Sequence, residues 1–217
     1  MKRPSWFHRP TINRVIMIII LSDLVFSLAW GFMAPVYSIF VIGQIHGGTL
    51  AVVGFATGLF WFVKSAVQFP VSWIADAIPG EWDDYLLMLA GGVIIVIANL
   101  LYYFFATEVW HVYLFEILHG IGYALNLPAW YGIFTRHIDP KKESTEWTLD
   151  SNAFGIGYGV SAAVGGVVGQ LMGPRFVFLL VALVSALGTM TLLLLKNDLK
   201  RPSPDGSAAP LHRPAQS

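Results

Sequence analysis

The run Val15–Ile42, VIMIIILSDLVFSLAWGFMAPVYSIFVI, decides the fold class. Its apolar residues do not alternate with polar ones, as they would in a barrel strand. An α-helix rises ~1.5 Å per residue, so about 20 residues cross a ~30 Å hydrocarbon layer. Five further runs are long enough to do the same: Leu50–Ala75, Tyr85–Ala106, Val109–Phe134, Ser151–Met172 and Phe176–Leu195. The sequence therefore reads as an all-α membrane protein of six transmembrane helices. Residues 15–195 form the membrane domain, between an N-terminal segment 1–14 and a Pro/Ser/Ala-rich tail 196–217 expected to be disordered. Pro35, Pro70 and Pro128 lie inside the three longest runs, where neighbouring helices can satisfy the carbonyls they free.

Composition agrees. The 217 residues are 56% hydrophobic and only 12% charged, with mean hydropathy +0.65. Soluble domains run near ~45–50% and ~25%. Thirteen basic residues balance thirteen acidic ones, so nothing draws the chain to nucleic acid. The absence of cysteine excludes disulfides, thiolate zinc sites and a Cys nucleophile.

The start of the chain is similar to a secretory signal, but no small-residue cleavage site follows the apolar run, so it is expected to stay as a first helix. Basic residues set the orientation. Lys2, Arg3, Arg9, Arg14, Arg136, Lys141, Lys142, Lys196, Lys200, Arg201 and Arg213 share one side, against Arg175 on the other, so both termini are expected in the cytoplasm. The remaining cytoplasmic loop, DAIPGEWDDY from Asp76 to Tyr85, is acidic instead. Trp73, Trp82, Trp110 and Trp147 fall near run ends, as an interfacial belt requires.

Charges within spans are costly and by default face a bundle interior or a water-filled path. Asp23 and Lys64 lie at similar depths, ~13 and ~18 Å from the cytoplasmic edge at ~1.5 Å per residue, which permits an ion pair. Glu116 and His119, at i and i+3, share one helix face near mid-membrane. A carboxylate and an imidazole there are groups able to exchange protons, so these four residues are the expected substrate and proton pathway. Trp30, Trp61, Tyr123, Trp130 and Tyr131 are candidates for an aromatic wall. The histidines are scattered, and no hydrolase or phosphate-binding motif occurs, so neither a metal site, a catalytic residue nor a cofactor is expected. Glycine pairs four apart (Gly54/Gly58, Gly155/Gly159, Gly165/Gly169) allow close helix approach.

On these residues the chain resembles the amino-terminal six-helix half of a major facilitator superfamily transporter. GFMAPVYSIF resembles a Gly-x-x-x-Pro segment through Gly31 and Pro35. QFPVSWIADAIPGEWDDY stands where that family has Gly-x-Leu-Ala-Asp-Arg-x-Gly-Arg-Arg; Asp76 matches, whereas Ser72 replaces the leading glycine and the arginines are absent. EILHGIGYA resembles Arg-x-x-Gln-Gly-x-Gly through Gly120 and Gly122, with Glu116 in place of the arginine and His119 of the glutamine. GYGVSAAVGG resembles Gly-x-x-x-Gly-Pro-x-x-Gly-Gly through Gly157, Gly165 and Gly166.

The resemblance implies a gradient-driven carrier of a small solute, expected in the plasma membrane of a prokaryote and surrounded by lipid. It implies that Gly120, Gly122, Gly157, Gly165 and Gly166 pack helices. It also implies cytoplasmic gating by Asp76, Gly80, Asp84, Arg136 and Asp150, with Asp76 approaching the start of the fifth helix near Ser151 in a partner subunit. Carriers of this kind have two such halves with the substrate between them. A homodimer of this chain, a separate partner chain or longer gene supplying the second half, and a non-transporting membrane scaffold are the three readings left open.

Overall fold

The computed structural model describes residues 12–199. The expectations placed on Lys2, Arg3, Arg9, Lys200, Arg201, Arg213 and most of the tail lie outside these residues. Among the described residues seven α-helices follow one another: α1 (Arg14–Met33), α2 (Tyr37–Gln44), α3 (Leu50–Ala77), α4 (Trp82–Phe105), α5 (Val109–His137), α6 (Glu143–Met172) and α7 (Pro174–Leu192). A 3-10 turn, Leu193–Asn197, closes the series. Among the described residues α1, α3, α4, α6 and α7 are long and apolar enough to cross a membrane, α7 counted together with that turn.

Local chemistry explains the boundaries. Asn13 caps α1 by accepting from the Val15 N–H at 3.0 Å, and Thr49 caps α3 by accepting from Val52 at 3.3 Å. Glu108 and His111 form a capping box at the start of α5. Gly173, at φ +90, makes the tight turn into Pro174 at the head of α7; a side chain would be strained there. The first predicted span is two helices rather than one. Pro35 has no N–H to donate, and the helix stops at Met33 and resumes at Tyr37. Pro70 and Pro128 sit in unbroken helices.

A larger correction concerns the fifth predicted span, which begins at Glu143 rather than Ser151. The added segment ESTEWTLD is too polar for a hydropathy reading, yet it turns Glu146 and Asp150 inward at i and i+4. The helix terminus, with its dipole, therefore lies at Glu143, so the helix start that Asp76 was expected to approach in a partner subunit is there and not near Ser151.

The helices pack as an arc in the order α3, α5, α4, α7, α1, α6. The two end members, α3 and α6, leave an opening between them, and α1 and α5 meet only lightly behind it. Exchanging α1 with α5, α3 with α6 and α4 with α7 maps α1–α6 onto α5–α3 and α4–α5 onto α7–α1 and leaves α4–α7 in place, the signature of a three-plus-three inverted repeat. Two apolar cores close the ends. One gathers Ile16, Ile19, Met88, Ile133, Phe134 and Leu192; the other gathers Phe40, Val41, Tyr102, Val112, Phe115 and Phe178.

Close crossings explain several glycines. A Cβ on Gly165 would strike the Phe32 backbone of α1, and one on Gly157 would strike Ser27 and Leu24. On α5, Gly120 lies against Phe60 and Val63, and Gly122 against Gly91 and Ile95. Gly166, expected to pack, instead has nothing within 4 Å, and the same holds for Gly54, Gly58, Gly155 and Gly159. Gly165→Val is expected to cost about 1–3 kcal/mol by overpacking against backbone that cannot yield. Gly166→Val should stay within about 0.5 kcal/mol. Unfolding midpoints of the two variants in detergent check the contrast.

Candidate functional site

A cavity of about 330 Å³ lies between the two apolar cores. Residues of every helix line it: Ala29, Trp30 and Met33 of α1, Tyr37 and Ser38 of α2, Thr57, Phe60 and Trp61 of α3, Asn99 of α4, Glu116, His119 and Tyr123 of α5, Tyr158 of α6 and Val181 of α7. Its open side lies between Thr57 and Trp61 on one hand and Tyr158 on the other, all three exposed. The cavity is thus a trough facing out of the arc.

Glu116 and His119 are brought together in its wall. Both are buried, and His119 Nδ1 lies 3.9 Å from Glu116 Oε1. Tyr102 of α4, fully buried, donates its hydroxyl to Glu116 Oε1 at 2.8 Å, and its ring stacks on His119 with centroids 5.8 Å apart. A buried carboxylate needs such partners, because an unpaired charge in low dielectric is costly.

The expected Asp23–Lys64 pair does not form. Chain order suggested neighbouring helices, but α1 packs on α6 and α7 whereas α3 packs on α5. Asp23 is half-buried and within electrostatic reach of Asp150 on α6. Lys64 is also half-buried, its Nζ 4.5 Å from the ring centroid of Trp61, a cation–π contact. Of the expected aromatic wall, Trp30, Trp61 and Tyr123 line the cavity. Trp130 and Tyr131 do not; they pack with Trp147 at the other end of α5.

The residues expected to gate separate into two sets. Arg136 hydrogen-bonds Asp84 and places its Nε 3.6 Å from Glu81, clamping the start of α4 to the end of α5. Gly80 holds φ +115 in the turn just before, a conformation that disfavours any side chain. Asp76 is exposed and joins none of the ion pairs among the described residues. Asp150 is buried in α6, away from the Arg136 clamp, with Oδ1 lacking a hydrogen-bond partner.

Sequence reasoning overlooked Tyr102, Asn99 and Tyr37. Asn99 was the detectable one, a lone amide in the apolar run VIIVIANLL. It is 1% exposed and donates Nδ2 to the Ile95 carbonyl at 2.8 Å.

The sequence matches the family model described as Major Facilitator Superfamily over residues 19–217. The fold is similar to the in meso crystal structure of the POT family transporter PepTSo, with a TM-score of 0.66 at 15% sequence identity. That match covers 95% of this chain and 40% of the other, so the chain spans about 40% of that transporter's length. No curated protein sequence matches it. Apolar helices arranged in this way, together with the family match over nearly the whole chain, make this an integral multi-pass membrane protein belonging to the major facilitator superfamily.

Proposed function

We propose that the chain is a secondary-active transporter of a small solute, driven by an ion gradient, and that two copies face each other across their troughs to form the complete carrier. The observation that carries the reading is the trough itself: a mid-bundle cavity with a buried carboxylate and imidazole in its wall, open on one side. In this reading the membrane is crossed six times, by α1 with α2 and by α3 to α7. Arg14, Arg136, Lys141, Lys142 and Lys196 then share the cytoplasmic end. Glu116 and His119 exchange protons as the cavity changes its side of exposure. Lipid covers the outer faces, where Phe62, Phe69 and Leu171 are exposed. A prokaryotic plasma membrane is the expected location.

A C2 pair suits the reading because both ends of each chain then lie on the same side, so two copies insert alike. A second reading, in which a different chain supplies the other half, is favoured by the 40% coverage of the similar transporter.

The absence of cysteine makes the test direct. Thr57→Cys places a single thiol on the cavity lining. In proteoliposomes a membrane-impermeant maleimide is expected to label it from either side. The same preparation, weighed in mild detergent, is expected at twice the 23.9 kDa chain mass. Labelling from one side only would defeat the transport reading; a monomer would move the second half to another chain.

A further inference from the structure

Resting on the transport reading of the same cavity, we propose that the solute is a protonated amine with a compact aromatic or apolar body. Asn99 commits its Nδ2 to Ile95, which fixes the amide orientation and leaves Oδ1 buried without a partner in the cavity wall. Glu116 presents a carboxylate to the same space. The buried Tyr37 hydroxyl lies beside Glu116 and Tyr102 on the same wall. No Lys or Arg is among the lining residues.

Each solute class meets this wall differently. An anion would face Glu116 and an orphan carbonyl, with no lysine or arginine among the lining residues to pair it. A neutral apolar molecule would leave Asn99 Oδ1 unsatisfied, which is costly for a buried acceptor. An ammonium bearing N–H groups satisfies both acceptors and neutralises the carboxylate.

The rest of the wall fits the body of such a molecule. Trp30, Phe60 and Tyr123 hold one another in a three-ring corner, with centroid separations of 5.8 Å (Trp30–Phe60), 5.2 Å (Trp30–Tyr123) and 5.8 Å (Phe60–Tyr123). Ring faces attract cations as well as apolar groups. Lys64 resting on Trp61 is an ammonium already held by one ring of this lining. A cavity of about 330 Å³ is small among ligand sites and suits a compact molecule.

The test uses the Thr57→Cys protein in proteoliposomes with 2-phenylethylammonium as the probe. At about ten times its dissociation constant, the amine is expected to slow maleimide labelling roughly tenfold. Phenylacetate, similar in size but anionic, is expected to give no protection. Adding Glu116→Gln should abolish protection, whereas Glu116→Asp, which keeps the charge, should retain it and guards against simple misfolding. Protection by phenylacetate, protection equal to the amine's by zwitterionic phenylalanine, or undiminished protection in Glu116→Gln would each overturn the amine assignment. So would failure of the amine to protect at any concentration. Two-sided labelling without amine protection would sink the solute class and leave transport standing. One-sided labelling with amine protection would do the reverse.

Discussion

Arg136→Ala is expected to lower the unfolding free energy by about 3 kcal/mol, the lower end of what breaking a buried ion pair costs. Glu81 is 1% exposed and Asp84 3%, so neither carboxylate can turn to water when the guanidinium leaves. His137, whose Nδ1 lies 3.6 Å from Glu81, offers partial compensation on one side only. The arginine itself is 38% exposed, which keeps the figure from the upper end. Arg136→Lys should recover only part of the loss, since one ammonium replaces a planar fork that reaches two carboxylates. Asp84→Asn in the Arg136→Ala background should regain stability, because it removes a charge that has become unpaired. Unfolding in detergent followed by tryptophan fluorescence gives the cycle. A loss below about 0.5 kcal/mol would mean that the clamp behaves as a surface pair.

The double substitution Glu116→Gln, His119→Asn is expected to slow solute flux about a hundredfold, since removing one member of a buried, hydrogen-bonded charge site costs roughly 2–5 kcal/mol. The remaining flux should no longer respond to an imposed proton gradient. Tyr102 would keep a hydrogen-bond acceptor in the glutamine carbonyl, so the fold is expected to survive. Flux of 2-phenylethylammonium in proteoliposomes, with and without a pH step, is the measurement. A double variant that still follows the gradient would remove both residues from the coupling. His119→Asn alone then separates the roles: a retained response with slower flux would leave the proton on Glu116.

The helices were legible because a bilayer imposes one rule on every span, and runs such as VIMIII obey it visibly. The start of α6 was not, because ESTEWTLD is helical through inward Glu146 and Asp150 rather than through apolarity. Glu116 and His119 were legible as a pair, since i and i+3 spacing is local geometry. The Asp23–Lys64 ion pair was not legible, for the opposite reason. Their relation depends on which helices touch, and that order follows the exchange of three-helix units rather than the order of the chain. Tyr102 escaped notice because a tyrosine among Leu101, Tyr103 and Phe104 looks like any other aromatic. Only the fold brings its hydroxyl to Glu116.

The opening between α3 and α6 also bears on how such a protein changes over generations. If, as proposed, two copies close the trough around a twofold axis, every lining residue is counted twice, so one codon change remodels two walls together. Selectivity then shifts in large steps, and a lopsided binding site lies out of reach. Only a duplicated and fused gene frees the two walls to diverge.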